Sequence, residues 1–573
     1  MRFWTLLLLV VYFCLLCWTR ESNAVALKDK KRMIALSPFS AFDEYYGEHY
    51  FHYRSAAYEV SRERLLSSDP DYHKYYTQYT IPIVDPFPIP LPSFPTLIYD
   101  NTSNIPAYEM DALKDLYEST DGLNWMWRAY EPLTTRWNFS GSHNPCTESW
   151  QGLGCICSPT FKTSVDSNDT CRIGSIVLIK YGLFGTIPPS IGNFSEMYYL
   201  ELSENVLFSS IPDGVYQLSK LQVLDLSYNN MTGTISSNVS SLTSLTHLIL
   251  MSNDFNGSIP ETLSKCSYLL EIALGSTRLS GTLPSSIGDL QYLTILNIYA
   301  THLSGSLPAS MGRLTSLKLL NLFQNELTNS IPDSFGNLTS LWEMNLFENR
   351  LNGSLPVTFA DLQLYSINLF GNLISGPLPV GMFTSSSPLL IVNLFDNLFT
   401  GEIPPEVGFM PHLLRLDFCT NQLSSTLPPS LGNLTKLVEI YLNNNHHLYS
   451  TIPASYTQMS SLYVFYIQSN VLTGSISYGF GHMLNMTDFD LSANLLTGPL
   501  PHDFGDLPRL SELALYSNLL SSSIPDSLTQ CRGMSVLYLS DNLFSGSLPE
   551  HLGQWSYMVD LYINNNLLSG KLQ

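Results

Sequence analysis

The 573-residue sequence contains little charge, and little of that charge is positive. Only 13% of the residues are charged, and 27 Lys and Arg stand against 48 Asp and Glu, which gives a formal net charge of -21. Because phosphate binding requires clustered Lys and Arg side chains, this balance excludes nucleic acid as a partner. It favours solubility and a basic or neutral ligand.

Catalytic and metal-binding motifs are also missing. The sequence has no G-x-S-x-G, H-E-x-x-H or P-loop motif. The only adjacent histidine pair, His446-His447, lies where one repeat is longer by a residue, and we assign it no metal role. We therefore predict a protein that is not an enzyme and that uses no cofactor and no metal.

Beyond its first residues, the sequence has no apolar run long enough to cross a membrane. The apolar run from Phe3 to Trp18 follows Arg2 and precedes Ser22-Asn23-Ala24, which is typical of a signal peptide spanning residues 1–24. The alternative is an uncleaved anchor. Both interpretations predict a secreted or cell-surface protein that meets a membrane only through an uncleaved leader or a missing C-terminal segment.

Four of the few cysteines lie close together at positions 146, 155, 157 and 171. In an exported protein this cluster predicts disulfide bonds. Cys155 and Cys157 are too close in sequence to pair with each other, which leaves two connectivities, and we favour Cys146–Cys155 with Cys157–Cys171. The alternative, a zinc site, is disfavoured because C-x-C with long gaps and no His pair does not match structural zinc spacing.

Eleven N-x-S/T sequons follow the leader and make the chain a candidate glycoprotein, although Asn-rich repeats also produce sequons by chance. They are Asn101, Asn138, Asn168, Asn193, Asn230, Asn238, Asn256, Asn337, Asn352, Asn433 and Asn485.

Two segments precede the repeats. Residues 25–105 are rich in Tyr and then in alternating Pro, which predicts a poorly ordered stalk or pro-segment. Residues 106–172 are predicted to form an N-terminal cap. In it, Ala112, Leu113 and Leu116 recur at helical spacing and Asp121-Gly122 ends the helix. The cap also contains the four cysteines and the tryptophans at 125, 127, 137 and 150.

Residues 173–573 repeat the unit L-x-L-x-x-N-x-L-x-G-x-I-P-x-x-L-G-N-L-x-x-L about every 24 residues. One asparagine in each unit, which we call the ladder Asn, marks the register. With Tyr181, Thr277 and Thr301 at replaced positions there are 17 repeats. The ladder residues are Asn205, Asn229, Asn253, Asn325, Asn349, Asn372, Asn397, Asn421, Asn445, Asn470, Asn494, Asn518, Asn542 and Asn566.

This unit predicts an α/β solenoid with a concave parallel β-sheet. L-x-L places two leucines on one face of a short strand, and stacked repeats bury them in one continuous core. The ladder Asn turns inward, where its amide pairs with backbone groups of the coil. Cys266 and Cys531 replace a repeated Leu and are predicted to lie in the core, whereas Cys419 is predicted to face outward as a free thiol.

The outward positions lie two, four and six residues before each ladder Asn. In five consecutive repeats these positions predict an exposed aromatic stripe, Tyr299, Phe323, Phe347, Phe370 and Phe395, beside the amides Asn297, Asn321, Asn345, Asn368 and Asn393. At about 4.8 Å per strand, each column spans roughly 20 Å. Such a surface suits an extended peptide or a glycan. Alternatively, stacked Phe and Asn ladders only stabilise the sheet.

Three acidic residues flank these columns, namely Glu343, Glu348 and Asp396. They either favour a basic ligand or are simply solvated charges.

The sequence resembles the plant-type extracellular leucine-rich-repeat family over residues 106–573. Met231-Thr-Gly-Thr-Ile235 and Leu351-Asn-Gly-Ser-Leu-Pro356 match its L-x-G-x-I/L-P signature, and Gly336-Asn-Leu-Thr-Ser-Leu341 matches its convex half. Asn144-Pro-Cys146 and Trp150-Gln-Gly-Leu-Gly-Cys155 resemble its N-terminal cap. The resemblance implies a leucine-rich-repeat horseshoe or superhelix with a disulfide-bonded cap.

The family includes receptor kinases, receptor-like proteins and secreted inhibitors of foreign hydrolases. We therefore expect a receptor-like recognition module that binds a protein, peptide or carbohydrate ligand on the concave face. A structural or adhesive surface glycoprotein and a secreted hydrolase inhibitor are the alternatives. The sequence stops inside a repeat at Gln573 with an open, uncapped end, so we expect a fragment of a longer chain.

Overall fold

The computed structural model describes residues 104–128, 134–141, 143–158, 161 and 170–570. All of them belong to one compact unit that spans residues 92–573. The predicted signal peptide and nearly all of the Tyr- and Pro-rich stretch lie outside the described residues. Among the residues that are described, no helix has the length and apolar character needed to cross a membrane.

The described chain begins with the predicted helix, Ala107–Ser119, which follows Pro106. Ala112, Leu113 and Leu116 lie on its buried face, as their spacing predicted. Asp121, with a φ of 60°, turns the chain out of the helix and into the short 3-10 helix Gly122–Asn124.

Aromatic rings and two disulfides hold the cap together. Trp125, Trp137 and Trp150 are buried, and the ring centroid of Trp137 lies 4.9 Å from that of Trp125 and 6.0 Å from that of Trp150. The disulfides are Cys146–Cys155 and Cys157–Cys171, which confirms the favoured connectivity. The second one joins opposite residues of the antiparallel strands Leu153–Cys157 and Cys171–Val177.

The solenoid is built around one 18-stranded sheet, which we call the main sheet. Its first strand is antiparallel to its second, and each later strand pairs in parallel with the strand of the next coil. The strands are Leu153–Cys157, Cys171–Val177, Tyr199–Glu201, Val223–Asp225, His247–Ile249, Glu271–Ala273, Ile295–Asn297, Leu319–Asn321, Glu343–Asn345, Ser366–Asn368, Ile391–Asn393, Arg415–Asp417, Glu439–Tyr441, Val464–Tyr466, Asp488–Asp490, Glu512–Ala514, Val536–Tyr538 and Asp560–Tyr562.

Shorter parallel sheets follow the ladder residues and run along the side of the solenoid. They contain Phe184–Gly185, Val206–Ser209 and Asn230–Met231 in the first, Asn256–Gly257, Arg278–Thr282, His302–Ser306, Glu326–Asn329, Arg350–Gly353, Leu373–Pro377, Leu398–Gly401 and Gln422–Leu423 in the second, and Thr473–Gly474, Leu495–Gly498, Leu519–Ser522, Leu543–Gly546 and Leu567–Leu568 in the third.

The coil returns to the main sheet through 3-10 helices, most of which begin after the Pro of the repeat. This Pro is the cap residue that precedes the helix and has extended backbone, as at Pro260 with φ -70° and ψ 135°, a φ that its ring fixes. These helices are Pro189–Asn193, Val215–Gln217, Ser237–Ser241, Glu261–Lys265, Ser285–Asp289, Ala309–Arg313, Asp333–Asn337, Val357–Asp361, Val380–Met382, Pro405–Phe409, Pro429–Asn433, Ala454–Gln458, Phe480–His482, His502–Asp506, Asp526–Gln530 and Leu552–Gln554.

The repeated leucines form one continuous core, as predicted. Leu320 and Leu322 are fully buried, and the same hydrophobic cluster extends from Ile105 in the cap to Trp555. Cys266 and Cys531 are buried within it, which confirms their prediction as core residues. The apolar strand residues therefore stabilise the solenoid by packing against the coils on either side.

The ladder Asn side chains form hydrogen bonds with backbone N–H and carbonyl groups where each coil leaves the sheet. Asn349 donates through Nδ2 to the carbonyl oxygens of Leu322 at 2.9 Å and Leu346 at 3.0 Å, and its Oδ1 accepts from the backbone N–H of Leu327 at 3.0 Å. Each such amide therefore joins neighbouring coils at a place where unpaired buried groups would destabilise the fold.

The residue before each ladder position adopts left-handed backbone, which the sequence did not indicate. Gln324 and Glu348 have φ values of 53° and 50°, and Gly371, at 63°, is the glycine that occupies this position. A non-glycine residue in this region costs on the order of 1 kcal/mol. The hydrogen bonds of the ladder Asn residues on either side fix the backbone of this turn and offset that cost.

Candidate functional site

The face of the main sheet opposite the core, which we call the outer face, carries the predicted site residues. Side chains alternate along a strand, so in Glu343–Asn345 the side chain of Met344 enters the core while its two neighbours face outward. Phe347 continues the outward row beyond the strand. Because consecutive strands pair in register, equivalent residues form columns that cross the strands.

The five predicted aromatic residues form one continuous stack. The ring centroids are 4.7 Å apart for Tyr299–Phe323, 4.3 Å for Phe323–Phe347, 4.8 Å for Phe347–Phe370 and 5.8 Å for Phe370–Phe395, and the ring planes deviate by 8–26°. The strand spacing of about 4.8 Å falls within the range of offset aromatic stacking. We call this stack the aromatic column.

The prediction of an exposed stripe is wrong for four of the five rings. Tyr299, Phe323, Phe347 and Phe370 expose only 1–8% of their surface, and only Phe395 is partly exposed. Each ring covers the faces of its neighbours, so the column presents ring edges to solvent. At its start the Tyr299 ring lies over Gly275, where an added Cβ would approach the ring to 2.7 Å.

The predicted amides Asn297, Asn321, Asn345, Asn368 and Asn393 run beside the rings, and we call them the amide column. Some of their polar atoms form hydrogen bonds within the chain. Asn345 donates through Nδ2 to Asn321 Oδ1 at 2.8 Å and to Glu343 Oε1 at 2.6 Å. Asn393 Oδ1 accepts from the backbone N–H of Phe395 at 3.2 Å. Asn345 and Asn368 are partly exposed, whereas Asn297, Asn321 and Asn393 are buried. The buried Oδ1 of Asn297 has no hydrogen-bond partner.

The flanking acidic residues predicted from the sequence also face outward. Glu343 and Glu348 are partly buried, and Asp396 is exposed. Gln324 Nε2 donates to Glu348 Oε2 at 2.7 Å, so this carboxylate is held by the neighbouring coil.

Next to the last ring the column meets an ion-pair cluster. Arg415 donates to Glu439 Oε2 at 2.6 Å and to Asp417 Oδ2 at 3.2 Å, and its guanidinium lies 5.0 Å from the ring centroid of Tyr441. Cys419 is a free thiol, as the sequence predicted, and it continues the line of the column, but it is buried rather than exposed. Burial raises the pKa of this thiol.

Before the first ring lies a second group of polar residues that the sequence analysis missed. Glu201 and Asp225 are register partners on adjacent strands, and His247 and Glu271 are register partners on the next two. Burial is the largest cause of the raised pKa of Glu271, about 7, and the Asp225 carboxylate adds to it. Burial and Asp225 also raise the pKa of Glu201. We call these four residues the acidic cluster.

Counting back from the ladder positions would have found these residues. Glu201 and Asp225 lie four residues before Asn205 and Asn229, and His247 and Glu271 lie six residues before the next two ladder positions. The acidic cluster does not repeat along the chain, so the periodic pattern alone does not identify it.

The predicted glycosylation sites that the structure describes are accessible. The side chains at 138, 193, 230, 238, 256, 337, 352 and 433 are exposed, and Asn485 is partly exposed. Asn101 and Asn168 lie outside the described residues. Among the described residues, no group of three or more His, Cys, Asp and Glu side chains has a geometry that could hold a metal ion.

Comparison with known proteins identifies the repeat. A leucine-rich-repeat family model matches residues 195–255, and a second leucine-rich-repeat model matches residues 316–338, 412–434 and 534–555. No curated protein matches the sequence.

Solved structures with the same fold include plant receptors. The chain is 32% identical to the leucine-rich-repeat ectodomain of the Arabidopsis thaliana membrane receptor kinase GASSHO1/SCHENGEN3, solved with CASPARIAN STRIP INTEGRITY FACTOR 2, over 69% of this chain and 50% of that one, with a TM-score of 0.65. It therefore spans half the length of that ectodomain.

Two further structures are matched over more of their length. The plant peptide hormone receptor RGFR1, in complex with RGF2, is 30% identical over 74% of this chain and 73% of that one, with a TM-score of 0.68. The Arabidopsis receptor kinase HAESA, in complex with the peptide hormone IDA and the co-receptor SERK1, is 26% identical over 82% and 87%, with a TM-score of 0.61. The chain therefore belongs to the leucine-rich-repeat family of receptor-like ectodomains.

Proposed function

We propose that the chain is an extracellular recognition module that binds an extended peptide along the outer face of the main sheet. The supporting observation is its similarity, over 74% and 82% of its length, to two receptors that were solved with peptide hormones. The sequence offers binding groups and no catalytic motif, so the proposal assigns the chain recognition and no reaction. Carbohydrate is the alternative ligand class.

Within the outer face, we place the peptide across the aromatic and amide columns. Three partly exposed residues offer direct contacts to a ligand, namely Asn345, Asn368 and Phe395. The buried rings support the surface beneath the ligand and present only their edges to it.

Two features support an extracellular location. Both cap disulfides require an oxidising compartment to persist. The exposed sequon asparagines are also accessible to glycosylation, which occurs on exported proteins.

A structural or adhesive spacer is the second candidate, and the stacking in the aromatic column favours it. Rings that cover each other stabilise neighbouring coils without any ligand. In that case the columns reinforce the solenoid, and the outer face has no specific partner.

Selection of a random peptide library displayed on phage against the purified chain tests the proposal. Enriched peptides should bind the double variant Asn345→Ala/Asn368→Ala at least tenfold more weakly, a loss of about 1.4 kcal/mol. Asn352→Ala, an exposed asparagine on a side strand, is the matched control and should bind normally. No enriched peptide, or equal binding to all three proteins, would refute peptide recognition on this face.

A further inference from the structure

Hydroxyl side chains link neighbouring 3-10 helices at many points along the solenoid. At these junctions the second residue of a helix is Ser or Thr, and its hydroxyl donates to the backbone carbonyl of the first residue of the preceding helix, at 2.6–2.9 Å. Ser334, for example, donates to Ala309 O, and Ser430 donates to Pro405 O, both at 2.7 Å. Each of these bonds ties one coil to the next.

Two consecutive junctions depart from this pattern. The second residue of the helix is Gly381 in Val380–Met382 and Glu406 in Pro405–Phe409. Glycine has no side chain and a carboxylate only accepts hydrogen bonds, so neither residue can donate to the preceding coil. A surface cavity of about 680 Å³ lies at the second of these junctions. This volume falls in the range of small-molecule sites, which is about 300–1,000 Å³.

Three consecutive coils contribute residues to the lining of this cavity. Phe383 comes from the first coil, Phe409 and Met410 come from the second, and Asn433 comes from the third. Phe383 and Met410 are buried, whereas the Phe409 side chain is 54% exposed. The cavity therefore combines an apolar interior with an aromatic ring that a ligand can reach.

Asn433 is also the exposed asparagine of an Asn-Leu-Thr sequon, so a glycan on its Nδ2 would begin at the cavity. We propose that the cavity is a binding site for the first N-acetylhexosamine of a glycan attached to Asn433. Attachment joins C1 of the sugar to Nδ2, breaks the bond between C1 and the diphosphate of a lipid-linked sugar donor, and releases the Nδ2 proton with the diphosphate. The proposal rests on the extracellular location proposed above and is independent of peptide binding on the outer face.

The tether and the Phe409 ring together favour this occupant. A sugar that is already attached beside the cavity enters it without the entropic cost of capturing a free ligand. The C–H face of the sugar is apolar and slightly positive, so it packs against the negative face of an aromatic ring.

Asn337 is a matched sequon outside this cavity. Asn337 is exposed and begins the same Asn-Leu-Thr sequence, and in both sequons the backbone N–H of the Thr donates to the carbonyl of the Asn at 2.8 Å. Each asparagine is the last residue of its 3-10 helix. The last residue of the preceding helix is Arg313 for Asn337 and Phe409 for Asn433. The two sites therefore share their local backbone and differ in the neighbouring coil.

The test measures how fast a peptide N-glycosidase removes each glycan from the native, secreted full chain, with site-resolved mass spectrometry. A bound sugar must leave the cavity before the enzyme reaches its bond to Asn433, so release at Asn433 should be roughly fivefold slower than at Asn337. In the denatured chain the two rates should be equal. Phe409→Ala should raise the rate at Asn433 to that at Asn337, and Arg313→Ala should change neither rate.

Folding does not confound this test, because Phe409 is more than half exposed and its replacement should leave the melting temperature unchanged. Equal release rates in the native chain, slow release that persists in Phe409→Ala, or an unmodified Asn433 beside a glycosylated Asn337 would each overturn the proposal. If a second copy of the chain filled the cavity, Phe409→Ala would change the molar mass in solution and leave the release rates as they were, which also contradicts it.

The outcomes separate this site from the proposed function. A chain that carries no glycan at either asparagine would contradict both the cavity site and the extracellular location. A failed peptide selection, with slow release at Asn433 that Phe409→Ala abolishes, would contradict peptide recognition and leave the cavity site standing.

Discussion

Truncation of Phe347 in the middle of the aromatic column should destabilise its coil strongly. The ring is 7% exposed and lies between those of Phe323 and Phe370, at centroid distances of 4.3 and 4.8 Å. Loss of two stacking contacts and of the buried ring should together cost about 3 kcal/mol in Phe347→Ala. The value lies at the low end for a buried Phe because solvent can reach the edge of the resulting gap.

The rate of amide hydrogen exchange measures this loss of stability at the affected coils. The backbone N–H of Leu346 donates to Asn368 O at 2.9 Å and that of Glu348 donates to Phe370 O at 2.8 Å, so both amides report on the junction of the two coils. A loss of about 3 kcal/mol corresponds to roughly 100-fold faster exchange of these amides.

Phe395→Ala is the matched control for this variant. Phe395 ends the column, is partly exposed, and lies 5.8 Å from Phe370, so its loss should cost roughly half as much. If the two variants accelerate exchange equally, or if Phe347→Ala leaves the exchange of Leu346 and Glu348 unchanged, stacking does not hold the coils together.

Three further variants test the cap, the ladder and the glycans. Burial raises the pKa of Glu109 above its unfolded value, to about 7, so the contribution of Glu109 to stability falls as the pH rises from about 4.5 to 7. Glu109→Gln should therefore flatten the pH dependence of the free energy of cap unfolding. An unchanged slope would contradict this. Asn349→Ala should lower the free energy of unfolding by about 1–3 kcal/mol, whereas the exposed Asn352→Ala should change it by less than about 0.5 kcal/mol in urea titrations. Asn337→Gln should remove one N-glycan from the secreted chain by mass spectrometry, and an unchanged mass would show that this exposed site is not used.

Sequence periodicity was sufficient to predict the coil. The two leucines of each strand, the inward ladder Asn and the spacing of the cap cysteines each depend on local geometry, which a sequence specifies directly. Leu320, Asn349 and the Cys157–Cys171 pair accordingly lie where they were expected.

Exposure on the outer face could not be predicted in the same way. The period identifies the face on which Phe347 lies, but its burial depends on whether neighbouring rings stack, which is a property of the side-chain rotamers. Cys419 shows the same limit, since it occupies an outward position of the repeat and is nevertheless buried. The pKa of Glu271 likewise depends on Asp225 two strands away, beyond the reach of local sequence.

A crystal structure of the chain with a selected peptide tests the central claim most directly. We expect extended density along the outer face, close to Asn345 and Asn368. Peptide density on the 3-10 helices or on the shorter sheets along the side of the solenoid, with none on the outer face, would contradict recognition by the main sheet.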